Sequence, residues 1–404
     1  MSGGLTRRRP GPTERLRALR DAGAGPAPLP ALLAACEDPS PDVARAALRQ
    51  IGRRRLTAAA GPLRKRLLEV DPALTADFAK ALAALGDEGA AAVAAAALLD
   101  GGPHRRIAAA TALEVLAGAP QAQALLAATD DPLAAVRYRA LRALTRIGLA
   151  GGTRRLELLL ADGNALVRAA AIDAAAKLGG ASRASVEALA EDRAPQVRQA
   201  LARHPHLLGP DAMARLLADR HPSVRRTAVT AAPPSQAGAL RAVLADDPAA
   251  EVRVAAAQRL AEIGSPSAND ALLAALADRA VMVRSAVERG LREALGRDRA
   301  ECLLLASLPD LGPPGRCGVV HALGHLRATG AEAALASLAG DPDRAVRLAL
   351  AHVGADLFGA GWEPLARLAR DADPGVAHAA AVAIEAHSAR APGTAGVDSG
   401  PTER

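Results

Sequence analysis

The chain has 404 residues, half of them apolar, which is enough to bury a core and excludes disorder throughout. The apolar content is mostly Ala and Leu, with one Trp, one Tyr and two Phe, a mixture that favours helices over strands. The formal charge is +7, but residues 1–70 hold fourteen Lys or Arg against six Asp or Glu and the remainder holds 36 basic and 37 acidic residues, so the charge marks one end and not a chain-long polyanion surface.

No run of about 18 strongly apolar residues exists, and the basic start has no hydrophobic stretch behind it, so neither a membrane span nor an export signal is expected. Cys36, Cys302 and Cys317 form no C-x-x-C pair, which fits a reducing cytoplasm and no disulfide framework. All but three basic residues are Arg, and with the abundant Ala and Gly this reads as GC-rich codon usage and carries little functional weight.

The first segment, residues 1–24, is a basic tail rich in Gly, Pro and Thr, expected to be largely disordered around a short helix. Behind it Arg53, Arg54, Arg55, Arg64, Lys65 and Arg66 concentrate positive charge, and a phosphate backbone is the ligand such a cluster suits. The competing reading is a solvated charge run.

From residue 25 to 388 the chain repeats itself. An Asp recurs at 38, 71, 100, 131, 162, 192, 219, 247, 278, 310, 341 and 371, at intervals of 27 to 33. Five residues later comes Val in nine copies, and the next position is Arg in nine: 106, 137, 168, 198, 225, 253, 284, 316 and 347. In "VRVAAAQRLAEIG" the residues Val252, Ala256, Leu260 and Ile263 share one helical face, and ahead of each Asp lies a second amphipathic stretch such as "ANDALLAALAD". Asp-Pro or Asp-x-x-Pro forms the turn inside the pair, and Gly148, Gly179 and Gly264 stop the second helix. A 30-residue hairpin cannot bury its apolar face alone, so the copies must stack. The expected fold is all-α, an α-solenoid of about twelve two-helix repeats.

The phrase Asp-x4-Val-Arg-x2-Ala-x3-Leu-x2-Ile-Gly resembles bacterial HEAT repeats of the phycobilisome-lyase HEAT-like type, and the shorter copies at 192–247 are similar to variant leucine-rich repeats. The resemblance implies a right-handed α-solenoid (an armadillo/HEAT-like superhelix) acting as a cytoplasmic, bacterial, monomeric scaffold or adaptor that binds a protein partner without catalysis. HEAT-like DNA glycosylases make nucleic acid the alternative, but the stacking that damaged-base binding needs is scarce with four aromatics.

An Arg present in internal copies and absent from the first two and the last behaves as glue between layers. Asp131, Arg137, Asp162, Arg168, Asp247, Arg253, Asp278 and Arg284 are therefore assigned to a structural ladder in which each guanidinium meets a carboxylate of its own or the next turn. In such a solenoid the second helices line the concave face. Their polar positions are Tyr138, Arg142 and Arg146, then Asp173 and Lys177, Arg203, Arg226, Gln258 and Glu262, and Arg289 and Glu293. Tyr138, Arg142, Arg146, Lys177, Arg203, Arg226 and Arg289 are the candidate binding residues, suited to an acidic protein segment.

Toward the C-terminus "CGVVHALGH" puts Cys317, His321 and His325 at i, i+4 and i+8, with His352 and Asp356 at equivalent positions one repeat on. This is the only Zn or Fe candidate and gives a second alternative, a metal-binding module or metalloenzyme, although no cofactor is expected. Iron-binding HEAT-repeat enzymes resembling deoxyhypusine hydroxylase use His-Glu dipeptides, and this chain has none. Phosphate-loop, dinucleotide-binding, nucleophile-elbow and H-E-x-x-H motifs are likewise missing. Phe358 and Trp362 are expected to pack under the last layer, and residues 389–404 to be a disordered tail.

Overall fold

A computed structural model describes residues 11–20, 27–149 and 153–389. Twenty-five α-helices and no strand occur among them. Twenty-four pair into twelve hairpins, and each of the twelve marker Asp residues stands ahead of a second helix, from Pro41–Arg53 to Pro374–Ser388. The extra helix, Pro12–Arg20, falls inside the N-terminal segment: Arg15 holds Asp38 through Nε at 2.7 Å and Nη2 at 2.9 Å, and the Gln50 amide donates to the Leu19 carbonyl at 2.6 Å. It supplies to the first repeat the arginine that an earlier repeat would otherwise supply. The rest of the two expected tails lies outside the described residues.

The local chemistry explains the hairpin. Oδ1 of Asp131, Asp162, Asp192, Asp247 and Asp278 accepts the backbone N–H two residues on, at 2.7–2.9 Å, closing the turn that aims the chain into the second helix. The Val that follows points inward: Val136, Val167, Val197, Val252 and Val346 are fully buried. Each such side chain stabilises the stack by about 1.5–3 kcal/mol through removal of apolar surface from water. Helices Ala134–Ile147 and Ala250–Ile263 end at Gly148 and Gly264, with φ of 84° and 64°, a left-handed conformation that a Cβ disfavours. The shorter sequence intervals appear as shorter second helices, Pro195–Ala202 and Pro222–Ala231, of 8 and 10 residues against 14 in Ala165–Leu178.

The chain falls into two compact units, residues up to Gly209 and residues from Pro210. Unit 1 has a continuous core that includes Ile51, Phe78, Leu82, Leu113 and Leu144. In unit 2 Leu260, Val287, Leu323 and Leu350 are fully or almost fully buried. Trp362 is buried with its ring 4.7 Å from that of Phe358, and it presses so closely on Gly354 that a Cβ there would lie 2.7 Å from the indole. No helix among the described residues is long and apolar enough to cross a membrane.

In seven copies the ladder is an interlayer ion pair with the Asp of the next repeat. Arg106–Asp131, Arg137–Asp162 and Arg168–Asp192 in unit 1, and Arg225–Asp247, Arg253–Asp278, Arg316–Asp341 and Arg347–Asp371 in unit 2, have closest N–O distances of 2.6–2.8 Å. The Nη1 of Arg137, Arg168, Arg225, Arg253 and Arg347 also donates to the carbonyl of the marker Asp of its own repeat, at 2.7–2.8 Å. Arg284 differs: it keeps the carbonyl bond to Asp278 at 2.7 Å, but Asp310, the next Asp in the series, is exposed in a 3-10 turn and takes no guanidinium among the described residues.

Candidate functional site: a cationic groove in unit 1

Helices Ala134–Ile147, Ala165–Leu178 and Pro195–Ala202 lie in succession and present a groove of about 500 Å³. Four-residue spacing puts Tyr138, Arg142 and Arg146 in a row with a rise of about 6 Å between neighbours. Asp173 and Lys177 follow on the second helix, and Arg203 with Gln196 and Gln199 on the third. The groove therefore gathers four cations against one carboxylate.

Most of these groups are held in place. Arg142 Nε pairs with Glu114 at 2.8 Å, its Nη1 donates to the Tyr138 hydroxyl at 2.9 Å, and its guanidinium stands 5.6 Å from the centre of the Tyr138 ring. The hydroxyl bond, which outweighs the cost of burial, and then the Glu114 charge raise Arg142 above the ordinary arginine range. Arg146 donates to the Ala117 carbonyl of the preceding repeat. Asp173 takes Arg203 at 3.3 Å and His204 Nε2 at 2.8 Å. Lys177 is exposed and has no hydrogen-bond or ion-pair partner among the described residues. Preorganised arginines around one uncommitted ammonium have the charge and geometry that suit carboxylates.

Five of the seven candidate binding residues thus meet in one groove: Tyr138, Arg142, Arg146, Lys177 and Arg203. The other two belong to unit 2. Arg226 is exposed on Pro222–Ala231. Arg289 lines a separate groove of about 670 Å³ with Gln258, Glu262 and Glu293, where the charges are mixed. Sequence reading missed Leu166, which is 55% exposed on the rim of the cationic groove, because an isolated Leu in a helix reads as core.

The basic cluster near the N-terminus is partly consumed inside the chain. Arg64 reaches Asp87 at 2.6 Å, Arg66 reaches Glu37 at 2.9 Å and Arg54 donates to the Ala27 carbonyl at 2.5 Å. Arg53, Arg55 and Lys65 are exposed.

Toward the C-terminus, His325 bonds Glu288 at 2.6 Å, while His352 and Asp356 are exposed. Burial pushes His321 below the usual imidazole range. Burial, then the charges of Asp343 and Asp341, pushes the Cys317 thiol up, away from the thiolate a metal needs. No group of three or more His, Cys, Asp or Glu among the described residues is placed to hold a metal.

A family model described as HEAT repeats matches residues 29–114 and 209–292. No curated protein matches the chain significantly in sequence. Among solved structures, Kap121p bound to RanGTP is similar over 92% of this chain and 48% of its own, with a TM-score of 0.54 at 14% identity. Kap121p bound to Pho4p aligns with a TM-score of 0.45 at 12% identity, over 91% of this chain and 46% of its own. The chain spans about half the length of these relatives. Fold and comparisons together define the class: an all-α solenoid of stacked two-helix repeats, in which residues 29–114 and 209–292 match HEAT repeats.

Proposed function

We propose that the chain is a non-catalytic cytoplasmic adaptor that docks an acidic, extended segment of a protein partner in the groove of unit 1. The observation that carries this reading is the convergence of Arg142, Arg146, Lys177 and Arg203 from three successive helices around one uncommitted ammonium. A chain crossing those helices meets a cation at each layer, and desolvation between packed side chains strengthens each contact relative to open water. The likeness to Kap121p, which is seen bound to RanGTP, supports a partner-binding role for such a surface.

A fluorescein-labelled ten-residue poly-Glu peptide, followed by anisotropy, tests it. Binding is expected to saturate, to weaken at least about tenfold in Lys177→Glu/Arg203→Glu, and to be unaffected by Arg53→Ser/Arg54→Ser/Arg55→Ser. Loss in the second variant only, with duplex DNA displacing the peptide, overturns the reading in favour of nucleic acid through the N-terminal repeats.

A further inference from the structure

Unit 2 holds a second, chemically distinct site on the two helices that flank the interruption of the ladder. At Arg284 the interlayer bond is missing, because Asp310 faces solvent. The following second helix, Pro313–Leu326, instead seats Gly318 against the backbone of Leu276, where a Cβ would overlap the carbonyl oxygen. Between helices Val281–Leu295 and Pro313–Leu326, further along the same pair, lies a pocket of about 260 Å³. Its floor is apolar, made by Leu291, Leu304 and Leu326. Its rim carries Ser285, Arg289 and Arg292.

The charges on the rim do not cancel. Glu288, the one carboxylate in the pocket, is engaged by His325 at 2.6 Å. Arg289 and Arg292 are both exposed and have no carboxylate partner among the described residues. An apolar floor below two guanidinium groups that form no ion pair among the described residues matches a ligand with an apolar body and an adjacent negative charge. The volume lies below the roughly 300–1,000 Å³ of pockets for drug-sized ligands and suits a single large side chain.

We infer that this pocket is an anchor site for one aromatic side chain of a protein partner, followed in the partner's sequence by acidic residues that meet Arg289 and Arg292. The aromatic group removes the Leu291, Leu304 and Leu326 surface from water, and the carboxylates fix its direction, the division of labour found at interface hot spots. The inference takes from the adaptor reading only that the partner is a protein, and its test leaves the unit 1 groove untouched.

The probe is a fluorescein-labelled peptide, Gly-Ser-Trp-Glu-Glu-Ser-Gly, titrated against the full chain by anisotropy, with melting curves to show that every variant is folded. Saturable binding is expected below about 1 mM. Replacing the peptide's Trp by Ala abolishes it. Arg289→Ser/Arg292→Ser weakens it about five- to tenfold at low salt. Ser285→Trp, which fills the mouth from an exposed rim position, abolishes it. The inference is overturned by absence of saturable binding, by equal binding of the Ala peptide, or by unchanged affinity in Ser285→Trp. Loss only in Lys177→Glu/Arg203→Glu also overturns it and leaves the adaptor reading standing, because the peptide then binds the unit 1 groove.

Discussion

Arg253 of one repeat grips Asp278 of the next through two parallel bonds, Nε to Oδ2 at 2.7 Å and Nη2 to Oδ1 at 2.8 Å, while Nη1 donates to the carbonyl of Asp247 at 2.7 Å. Both side chains are less than a tenth exposed. Removing the guanidinium strands a buried carboxylate. Arg253→Leu is therefore expected to cost about 3–5 kcal/mol, read as a lowered urea midpoint, and Arg253→Leu/Asp278→Leu to recover much of that loss. A single variant as stable as the wild type would remove the ladder from the account of stability.

Acid should unfold the chain in two stages. Burial depresses His321, a cost opposed by the charge of Glu288, so the folded state resists a proton that the unfolded imidazole accepts at about pH 6.5. Stability thus begins to fall as pH drops through about 6.5, and His321→Gln removes this first stage. The second stage comes from the ladder. Burial, the largest single effect, would raise Asp162, Asp192 and Asp278, but the bonds from Arg137, Arg168 and Arg253, the backbone amides of Asn164, Ala194 and Ala280 and the arginine charges together outweigh it, and the bond from Arg347 lowers Asp371. Their contribution is complete above the unfolded carboxyl value of about 3.9 and is lost as pH falls through the lower folded values. Melting temperatures from pH 8 to pH 3 check both windows, and a flat profile down to pH 5 would exclude the histidine stage.

The three thiols should react in an order set by the fold. Burial, then the charge of Glu37, pushes the Cys36 thiol up to about 12, whereas Cys302 is exposed. With Ellman's reagent at pH 8 the native chain is expected to release one equivalent quickly, from Cys302, and the Cys36 equivalent only on unfolding. Rapid labelling of Cys36, located by peptide mapping, would mean that the first repeat opens readily.

Much of this was readable from the residues because the repeat states one physical rule over and over, its Asp twelve times and its Val and Arg nine times each. The Asp–Val–Arg spacing fixes a turn, a buried face and an interlayer bond, and the second helices start where it predicts. Tyr138, Arg142, Arg146, Asp173, Lys177 and Arg203 were placed on one surface by helical period alone, and the groove brings them together. What the period does not encode is which partner a side chain takes. It could not show that Arg64 and Arg66 spend their charge on Asp87 and Glu37, nor that His325 turns to Glu288. It also did not reveal that Arg15, outside the repeats, completes the first Asp38.

Asp310 separates a residue that repeats in sequence from one that works in the structure. It occupies the marker position, yet it is exposed and receives no arginine, and Arg316 of its own repeat donates instead to the Leu311 carbonyl at 2.7 Å. One repeat later Asp341 is buried, accepts Arg316 at 2.8 and 3.0 Å and takes the Asp343 amide at 2.9 Å. If the ladder is held by contact and not by sequence register, Asp310→Ala should change stability by no more than about 0.5 kcal/mol, the range of ordinary surface substitutions. Asp341→Ala should cost about 3 kcal/mol or more, because it leaves the Arg316 guanidinium without its carboxylate. Urea unfolding of the two variants side by side decides it: equal losses would mean that Asp310 turns inward in solution and takes a guanidinium as Asp341 does.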